Sequence, residues 1–379
     1  MQAAGLEQSQ PSDIRKRGVR MTKALYITAD TYGVHSGGGS VLKHEKLALK
    51  SVFDSVTLLD SQDVVIPAYE SQDITFLNDY WCLAKLTRHP ELLDGVSLVH
   101  FYSGCFSETV KYLRARGIPV TYTCPAHDHR LSIEEFDRYA GGYPFPHIGN
   151  PVLYDQHLEC LRHANMVIVP STHSKRYLLE MGIATDIRVI PHGIESVPDQ
   201  IAPYPEKFTV GYVGQMGPDK GLVYLIKAWG QLGYDDARLV LAGQHHVLDY
   251  LARMIRREAP KGKFVLLGEV PDVNVVYDAC NICVFPSVTE GFGIGVIEAM
   301  SRRRPVIVSE GAGAADAIAC GGGIRVGIRS HSDIRLAIDR YYHHPEEQAD
   351  DGEIAQDLAR RYTWGKVRAM YANVFKRFV

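Results

Sequence analysis

The sequence lacks a basic excess, a long apolar run and a paired cysteine framework. Its formal net charge at pH 7 is -3 over 379 residues, whereas wholesale nucleic-acid binding normally shows as a surplus of Lys and Arg. No apolar run has the length that crosses a bilayer, and the first twenty residues are too polar for a secretory signal. Seven scattered cysteines are atypical of a secreted disulfide scaffold. These absences favour a cytoplasmic protein, with peripheral contact at the inner face of the membrane as an alternative.

Two further absences restrict the chemistry. No acidic and histidine residues cluster with metal-ligand spacing, so we expect no metal. Cys280 and Cys283 form a C-x-x-C without a second pair, and we interpret them as buried structural thiols rather than a metal or redox site. We interpret the triplet Arg302, Arg303 and Arg304 as solvated charge, with contact to phosphates or anionic lipid as the alternative.

What is present is ordinary for a globular protein, with 46% hydrophobic and 22% charged residues. The length suits two domains, each with its own core. We predict a disordered extension at 1–21, a first domain at 22–197 and a proline-containing linker at 198–207. A second domain follows at 208–363, and a C-terminal helix spans 364–379.

Short β-branched runs alternate with helical patterns along both predicted domains. The predicted strands lie at 24–28, 56–59, 74–77, 98–101, 120–122, 166–169, 208–214, 238–243, 264–268, 282–285 and 305–309. Such alternation predicts an α/β fold with parallel sheets covered on both faces. In these sheets ligands bind beyond the carboxyl ends of the strands.

The stretch from Pro286 to Glu298, PSVTEGFGIGVIE, has two carboxylates on either side of a glycine-rich turn. An apolar run before it predicts a buried strand, and the residues after it predict a helix. Gly291 and Gly293 allow close backbone approach, and the helix directs its first N–H groups and its positive dipole end at the turn. This predicts a pyrophosphate seat, with Glu290 and Glu298 facing the same cleft. The alternative is a strand and a helix whose carboxylates are solvated.

Two other segments follow predicted strands of the first domain. The glycines at 37–39 precede a helix predicted from Ser40; the run lacks the GxGxxG spacing, and a plain turn is the alternative to a phosphate loop. The sequence TCPAHDHR puts His127 and Asp128 at the carboxyl edge of the sheet. A local hydrogen bond is the alternative to a catalytic role for this pair.

An unusual loop between residues 134 and 151 mixes aromatic residues with glycine and proline. It contains Tyr143, Phe145 and His147. Aromatic faces stack on sugar rings, so the loop is either an acceptor platform or a packed surface loop.

The stretch from Glu290 to Glu298, followed by AMSRRRPVIVSEGAGAADAI, resembles the retaining glycosyltransferases of family four. The resemblance covers nearly all of residues 25–379 and is strongest over 208–318. It implies two Rossmann-like domains of the B-type glycosyltransferase fold facing a central cleft, with the last helix crossing back to the first domain. It also implies a metal-independent, hexosyltransferase-type enzyme. A sugar would pass from a UDP- or GDP-linked donor, with retention, to a saccharide, lipid-linked or small-molecule acceptor.

The resemblance assigns roles to five residues. Glu298 would bind the donor ribose, Glu290 would contact the transferred sugar and His127 would reach the same sugar. Lys220 matches the lysine that binds the diphosphate, whereas Gln215 replaces the usual arginine. His127, Lys220 and Glu290 are therefore the candidate catalytic residues. No cofactor is implied beyond the donor substrate.

The remaining candidates surround the nucleotide. Val270 lies where the family recognises the base, largely through backbone groups. The glycines of the first loop lie over the donor phosphates or near the acceptor. The other donor-binding candidates are Gly38, Gly39, Gly291, Phe292, Gly293 and Ile294, and the acceptor-binding candidates are Asp128, Tyr143, Phe145 and His147.

Two other classes of protein stay open. A dehydrogenase or sugar-nucleotide epimerase has a similar double Rossmann arrangement, although the missing GxGxxG disfavours the dehydrogenase. A noncatalytic sugar-nucleotide binding protein is the other alternative, motivated by Gln215 and Arg303 at positions where the family has other residues.

Overall fold

The computed structural model describes residues 21–28, 37–60, 74–140, 151–244, 248–261 and 263–379. Within these ranges the chain forms two six-stranded sheets, and all described strand pairs are parallel. We call the residues up to 193 the first half and those from 194 to 363 the second half. Residues 1–20 of the predicted extension and the loop residues Tyr143, Phe145 and His147 lie outside the described residues.

The first half contains the sheet with strand order β2-β1-β3-β4-β5-β6. Its strands are β1 Lys23–Thr28, β2 Ser55–Leu59, β3 Val96–Tyr102, β4 Val120–Thr123, β5 Met166–Val169 and β6 Asp186–Val189. Its described helices are α1 Gly37–Lys50, α2 Ile74–Arg88, α3 Ser107–Ala115, α4 His129–Ala140, α5 Pro151–His163 and α6 Thr172–Glu180.

The second half contains the sheet with strand order β12-β11-β10-β7-β8-β9. Its strands are β7 Thr209–Val213, β8 Arg238–Ala242, β9 Phe264–Gly268, β10 Ile282–Phe285, β11 Val306–Ser309 and β12 Gly323–Val326. The helices are α7 Leu222–Leu232, α8 Leu248–Glu258, α9 Val273–Asp278, α10 Ile294–Ser301, α11 His331–His343 and α12 Pro345–Ala359, followed by α13 Trp364–Phe375.

The central strands are apolar on both faces because helices cover each sheet on both sides. Every residue of β5 and β10 is buried, which is typical of parallel sheets and gives continuous apolar runs in place of alternation. The predicted α/β class is confirmed. Among the described helices, none combines the length and apolar character needed to cross a membrane.

Two local predictions were wrong. Residues 74–77 were predicted as a strand but open helix α2; Asn78, Cys82 and Leu86 are buried at four-residue spacing, so a helical face packs inward. A short apolar run does not distinguish a strand from the start of a buried helix. The glycines at 37–39, predicted as a loop, form the first turn of α1 instead.

The last helix, α13, crosses back and packs against α1, as predicted. Trp364 and Phe375 lie buried in one cluster with Tyr26 of β1. At the crossing, the Ile194 N–H donates to the Tyr362 carbonyl at 2.8 Å, and the Trp364 N–H donates to the Ile194 carbonyl at 2.9 Å. These bonds connect the segment at Ile194, where the chain enters the second half, with the segment at Trp364, where it returns to the first half.

The arginine triplet is not the solvated run that the sequence predicted. The Arg304 side chain is fully buried; its Nη2 donates to the Ala202 carbonyl at 2.8 Å and its Nε to the Tyr277 carbonyl at 3.1 Å. Arg302 pairs with Asp278. Arg304 therefore fixes the segment at 198–207 to the end of α9, because a buried guanidinium must find acceptors.

The two neighbouring cysteines are buried, as predicted. Cys280 and Cys283 have no exposed surface and form no disulfide. The Cys280 thiol donates to the Val276 carbonyl at 3.1 Å.

Candidate functional site

The predicted pyrophosphate turn lies between β10 and α10. Gly293 caps α10 with a φ of 93°, a left-handed conformation that glycine adopts readily. The backbone of Glu290 is fixed to the next loop, since its N–H donates to the Gly311 carbonyl at 2.9 Å and its carbonyl accepts from the Gly313 N–H at 3.1 Å. The turn is therefore rigidly placed at the end of a buried strand, with the N-terminus of α10 beside it.

Lys220 and Glu290 meet at this turn although seventy positions separate them in sequence. The Lys220 Nζ lies 3.3 Å from Glu290 Oε1 and 3.8 Å from Asp219 Oδ2. Ser287 Oγ donates to Glu290 Oε2 at 2.8 Å. Burial raises the pKa of Asp219, and Glu290 adds to the rise, whereas Lys220 opposes it. One cation thus lies among carboxylates where a diphosphate is expected.

Close backbone packing brings the lysine to that position. Lys220 ends a 3-10 turn, and Gly221 follows it with a φ of +70°. A Cβ at Gly221 would lie 2.0 Å from the Pro286 carbonyl oxygen, so only glycine lets the two segments touch. The Val288 N–H also donates to the Asp219 carbonyl at 2.8 Å.

Glu298 lies one turn into α10 and is largely enclosed. Tyr277 of α9 donates its hydroxyl to Glu298 Oε2 at 2.9 Å. Burial raises the pKa of Glu298, and the tyrosine bond only partly opposes this rise. A carboxylate in this position can accept bonds from sugar hydroxyls, since it is an acceptor with more than one available direction.

Two other donor-site candidates lie at the neighbouring strand ends. Gln215 has an exposed side chain, while its carbonyl accepts from the Tyr212 hydroxyl at 2.5 Å. Val270 is half-buried and packs with Ile294 against the core of the second half. Phe292 is buried, with its ring centroid 5.3 Å from that of His192.

The loop that carries His127 and Asp128 packs directly on the glycine turn of the other half. A Cβ at Gly291 would lie 2.9 Å from the Pro125 carbonyl oxygen. The Asp128 N–H donates to Thr289 Oγ1 at 2.9 Å. The structure thus brings His127, from the first half, to the same cleft as Glu290 and Lys220.

Hydroxyl groups of α6 complete this contact. Ser171 Oγ donates to the Gly291 carbonyl at 2.7 Å, and Ser174 Oγ donates to the Ala126 carbonyl at 2.6 Å. Thr172 bonds to the Asp316 carboxylate through its N–H at 2.9 Å. These side chains were not predicted as site residues. The sequence feature that could have identified them is Ser171, which caps a helix at the carboxyl end of β5.

The environment of His127 favours the neutral form of its ring. Burial lowers its pKa well below the usual value, and the nearby His129 and Lys220 lower it further. The rings of His127 and His129 have centroids 4.1 Å apart, and burial also lowers the pKa of His129 to about 4. A neutral imidazole can donate one hydrogen bond and accept one, which suits sugar hydroxyls.

Asp128 does not pair with His127 in the described contacts. Its carboxylate accepts from Arg130 Nη2 at 2.7 Å and Nε at 2.9 Å. Burial works to raise the pKa of Asp128, but Arg130 outweighs it and holds that pKa below the usual range. Asp128 therefore forms a local ion pair with Arg130.

A second histidine at the cleft, His192, was not predicted as a site residue. Burial lowers the pKa of His192 to about 4, although Glu45 and Glu290 act in the opposite direction.

The glycines Gly38 and Gly39 begin α1, which follows β1 in the chain. Across the described ranges, no three His, Cys, Asp or Glu side chains are grouped so that they would hold a metal ion.

Comparison with known proteins gives two matches to family models. Residues 50–196 match the model described as Glycosyltransferase Family 4, and residues 194–357 match the model described as Glycosyl transferases group 1. An uncharacterized glycosyltransferase of Methanocaldococcus jannaschii is 31% identical over 172 residues, which cover 44% of this chain and 44% of that protein. The matched stretch therefore spans less than half the length of this relative.

Solved structures match over almost the whole chain. The sucrose-phosphate synthase of Thermosynechococcus elongatus superposes with a TM-score of 0.71 at 18% identity, covering 94% of this chain and 99% of the other. The Anabaena protein HepE, solved in complex with UDP, gives a TM-score of 0.67 at 17% identity, with 94% and 100% covered. At these identities the likeness concerns the fold alone, and it confirms the predicted B-type arrangement. Because the two family models together span residues 50–357, the chain belongs to the glycosyltransferases.

Proposed function

We propose that this protein is a retaining, metal-independent glycosyltransferase that moves a sugar from a UDP- or GDP-linked donor to a saccharide, lipid-linked or small-molecule acceptor. The observation that carries the proposal is the contact between Lys220 and Glu290 at the N-terminus of α10. A diphosphate bound there would meet a cation and the first N–H groups of a helix. The complex of HepE with UDP is consistent with such a donor.

The leaving diphosphate gains negative charge as the bond to the sugar breaks. Lys220 and the backbone N–H groups near Gly293 and Ile294 are the groups that would stabilise this charge. Lys220 lies between Glu290 and Asp219. The diphosphate would then compete with these carboxylates for the lysine, which leaves Glu290 to contact the sugar.

Glu298 and His127 would fix the donor at its two ends. Glu298 would accept bonds from the ribose hydroxyls with the carboxylate oriented by Tyr277. His127 would contact the transferred sugar from the first half as a neutral ring. The acceptor would enter from the first half as well, through the loop with Tyr143, Phe145 and His147.

The direct test of this function is transfer from a labelled donor. Thermal unfolding in the presence of UDP-sugars and GDP-sugars first identifies the donor. A ligand at one hundred times its Kd stabilises the folded protein by about 2.7 kcal/mol. Incubation of that donor with candidate acceptors should then yield a product that retains the anomeric configuration. Donor binding with neither sugar transfer nor slow donor hydrolysis would favour the noncatalytic alternative. An altered sugar on the same nucleotide would favour the epimerase.

We predict opposite effects of Glu298→Gln on binding and on stability. Nucleoside diphosphate affinity should fall about tenfold to a hundredfold, since bonds to a charged group contribute roughly 1.5 to 3 kcal/mol. The unliganded variant should be more stable than the wild type at pH 7. The folded-state pKa of Glu298 is raised, so the favourable contribution exists below the unfolded pKa and is lost as the pH rises through the folded pKa.

Calorimetric titration and thermal unfolding measure the two effects. Glu310→Gln is the matched control, because Glu310 is exposed, and it should change neither quantity. Unchanged affinity of Glu298→Gln for both UDP and GDP would contradict the ribose assignment.

We predict that Lys220→Ala affects turnover more than donor binding. If the lysine acts on the departing diphosphate, kcat should fall about a hundredfold or more, with a smaller rise in the donor KM. Lys220→Arg keeps the charge but changes its geometry, so its kcat should be intermediate. Gln215→Arg should raise donor affinity by adding a cation at the same turn. A near-normal kcat for Lys220→Ala would transfer the role to another group.

We predict that His127 does not titrate within the working pH range. Because burial holds the pKa of His127 well below its usual value, the ring stays neutral as the pH falls through about 6.5. His127→Ala should therefore lower kcat without changing the shape of the pH profile of kcat/KM. An acidic limb with a midpoint near 6.5 that is present in the wild type and absent from the variant would show that the ring is charged there.

A further inference from the structure

Helix α4 follows a strand of the first sheet but packs into the second half. Leu131 and Tyr139 contact the core cluster beneath α7 and α8. The Tyr139 ring centroid lies 6.3 Å from that of Tyr224. The Phe136 ring reaches within 3.3 Å of the position that a Cβ at Gly217 would occupy. The halves are therefore joined by α4 in addition to the chain crossing near Ile194.

A fully buried carboxylate lies at the centre of this contact. Glu135 has no exposed surface. It accepts from Arg329 Nε at 2.7 Å and from the Tyr224 hydroxyl at 3.1 Å. Arg329 has a φ of 62°, an unusual conformation for a residue with a side chain, and its Nη2 also reaches the exposed Glu134 at 2.8 Å. Three elements converge on Glu135: α4, α7 and the turn before α11.

The two helices held by Glu135 follow two of the candidate catalytic residues. Helix α4 begins at residue 129, directly after His127 and Asp128. Helix α7 begins at residue 222, directly after Lys220 and Gly221. A shift of α4 relative to α7 would therefore move His127 relative to Lys220.

We propose that Glu135 is a positioning residue for sugar transfer, and this inference rests on the proposed function. By binding Tyr224 and Arg329, its carboxylate holds α4 against α7 and sets the distance between His127 and Lys220. The donor seat itself belongs to the second half, at α10 and the turn before α7. Loss of the contact should consequently impair the reaction while nucleotide binding persists.

Charge and burial decide which variants are informative. Glu135→Gln keeps the shape and removes the charge, and Arg329 can still pair with Glu134. Arg329→Gln is more severe, because it removes the nearest cation of a buried carboxylate and leaves only Arg138 Nη1, which is 3.9 Å from Glu135 Oε1 and belongs to a half-exposed side chain. Combining the two removes both charges, so the double variant should recover part of the activity that Arg329→Gln loses. Glu134→Gln is the matched control, since it removes only the exposed partner of the same arginine.

Transfer kinetics and calorimetry with UDP and GDP test the inference. Glu135→Gln and Arg329→Gln should lower kcat about tenfold to a hundredfold, because a displacement near 1 Å can have this effect. Their Kd for the nucleotide should stay within about threefold of the wild type, as expected for groups outside the donor seat. Glu134→Gln should behave like the wild type. If Glu135→Gln does not fold, Tyr224→Phe replaces it, since this variant removes the hydroxyl that donates to Glu135 and should likewise lower kcat without changing the Kd.

Several results would overturn the inference. These are full activity in Glu135→Gln, equal losses in Glu134→Gln and Glu135→Gln, a parallel loss of kcat and nucleotide affinity, or no recovery in the double variant. If the wild type transfers sugar and Glu135→Gln does so equally well, the inference fails and the proposed function stands. If the wild type transfers no sugar, the proposed function fails. The role of α4 as a link is then read by small-angle scattering: Arg329→Gln should enlarge the radius of gyration relative to Glu134→Gln, and equal radii of the two variants would contradict the link.

Discussion

The carbonyl oxygen of Gly291 is a point of close contact between the two halves of the molecule. Ser171 of the first half donates to it at 2.7 Å, and the Pro125 carbonyl approaches so closely that a Cβ at Gly291 would have no room. Parallel sheets place their ligand-binding loops at the carboxyl ends of the strands. With this contact made, the loops of both sheets face one cleft, and His127 joins the groups that line the glycine turn.

Two carboxylates at this cleft lie where burial disfavours their charged forms. Burial raises the pKa of both Asp219 and Glu298, so each carboxylate lies where its charged form is poorly solvated. Lys220 lies between Asp219 and Glu290, and the N-terminus of α10 is nearby. A bound diphosphate with an attached ribose would compete with Asp219 and Glu290 for the lysine, would meet the positive end of the α10 dipole, and would offer hydroxyl donors to Glu298. Such local instability is typical of functional sites, where stability is traded for binding.

The sequence predicted the glycine turn and its carboxylates because strand, turn and helix are contiguous there, and local spacing determines their geometry. It also predicted the parallel sheets, from alternating apolar runs. It did not predict the role of α4, because Glu135, Tyr224 and Arg329 lie far apart in the chain and each looks like an ordinary surface or core residue. Arg304 was mistaken for solvated charge for the same reason: its acceptors are backbone carbonyls, which leave no mark in the sequence. At residues 74–77 three apolar positions were too few to separate helix from strand.

We propose that one cleft holds the donor, with its diphosphate at the N-terminus of α10. The most direct measurement is a crystal structure of the protein with the nucleoside diphosphate that binds it most tightly. We expect phosphate oxygens within hydrogen-bond distance of Lys220 Nζ and of the backbone N–H groups near Gly293, with the ribose hydroxyls bonded to Glu298. A nucleotide bound elsewhere, or one whose phosphates lie away from Lys220 while Glu298 stays paired only with Tyr277, would contradict it.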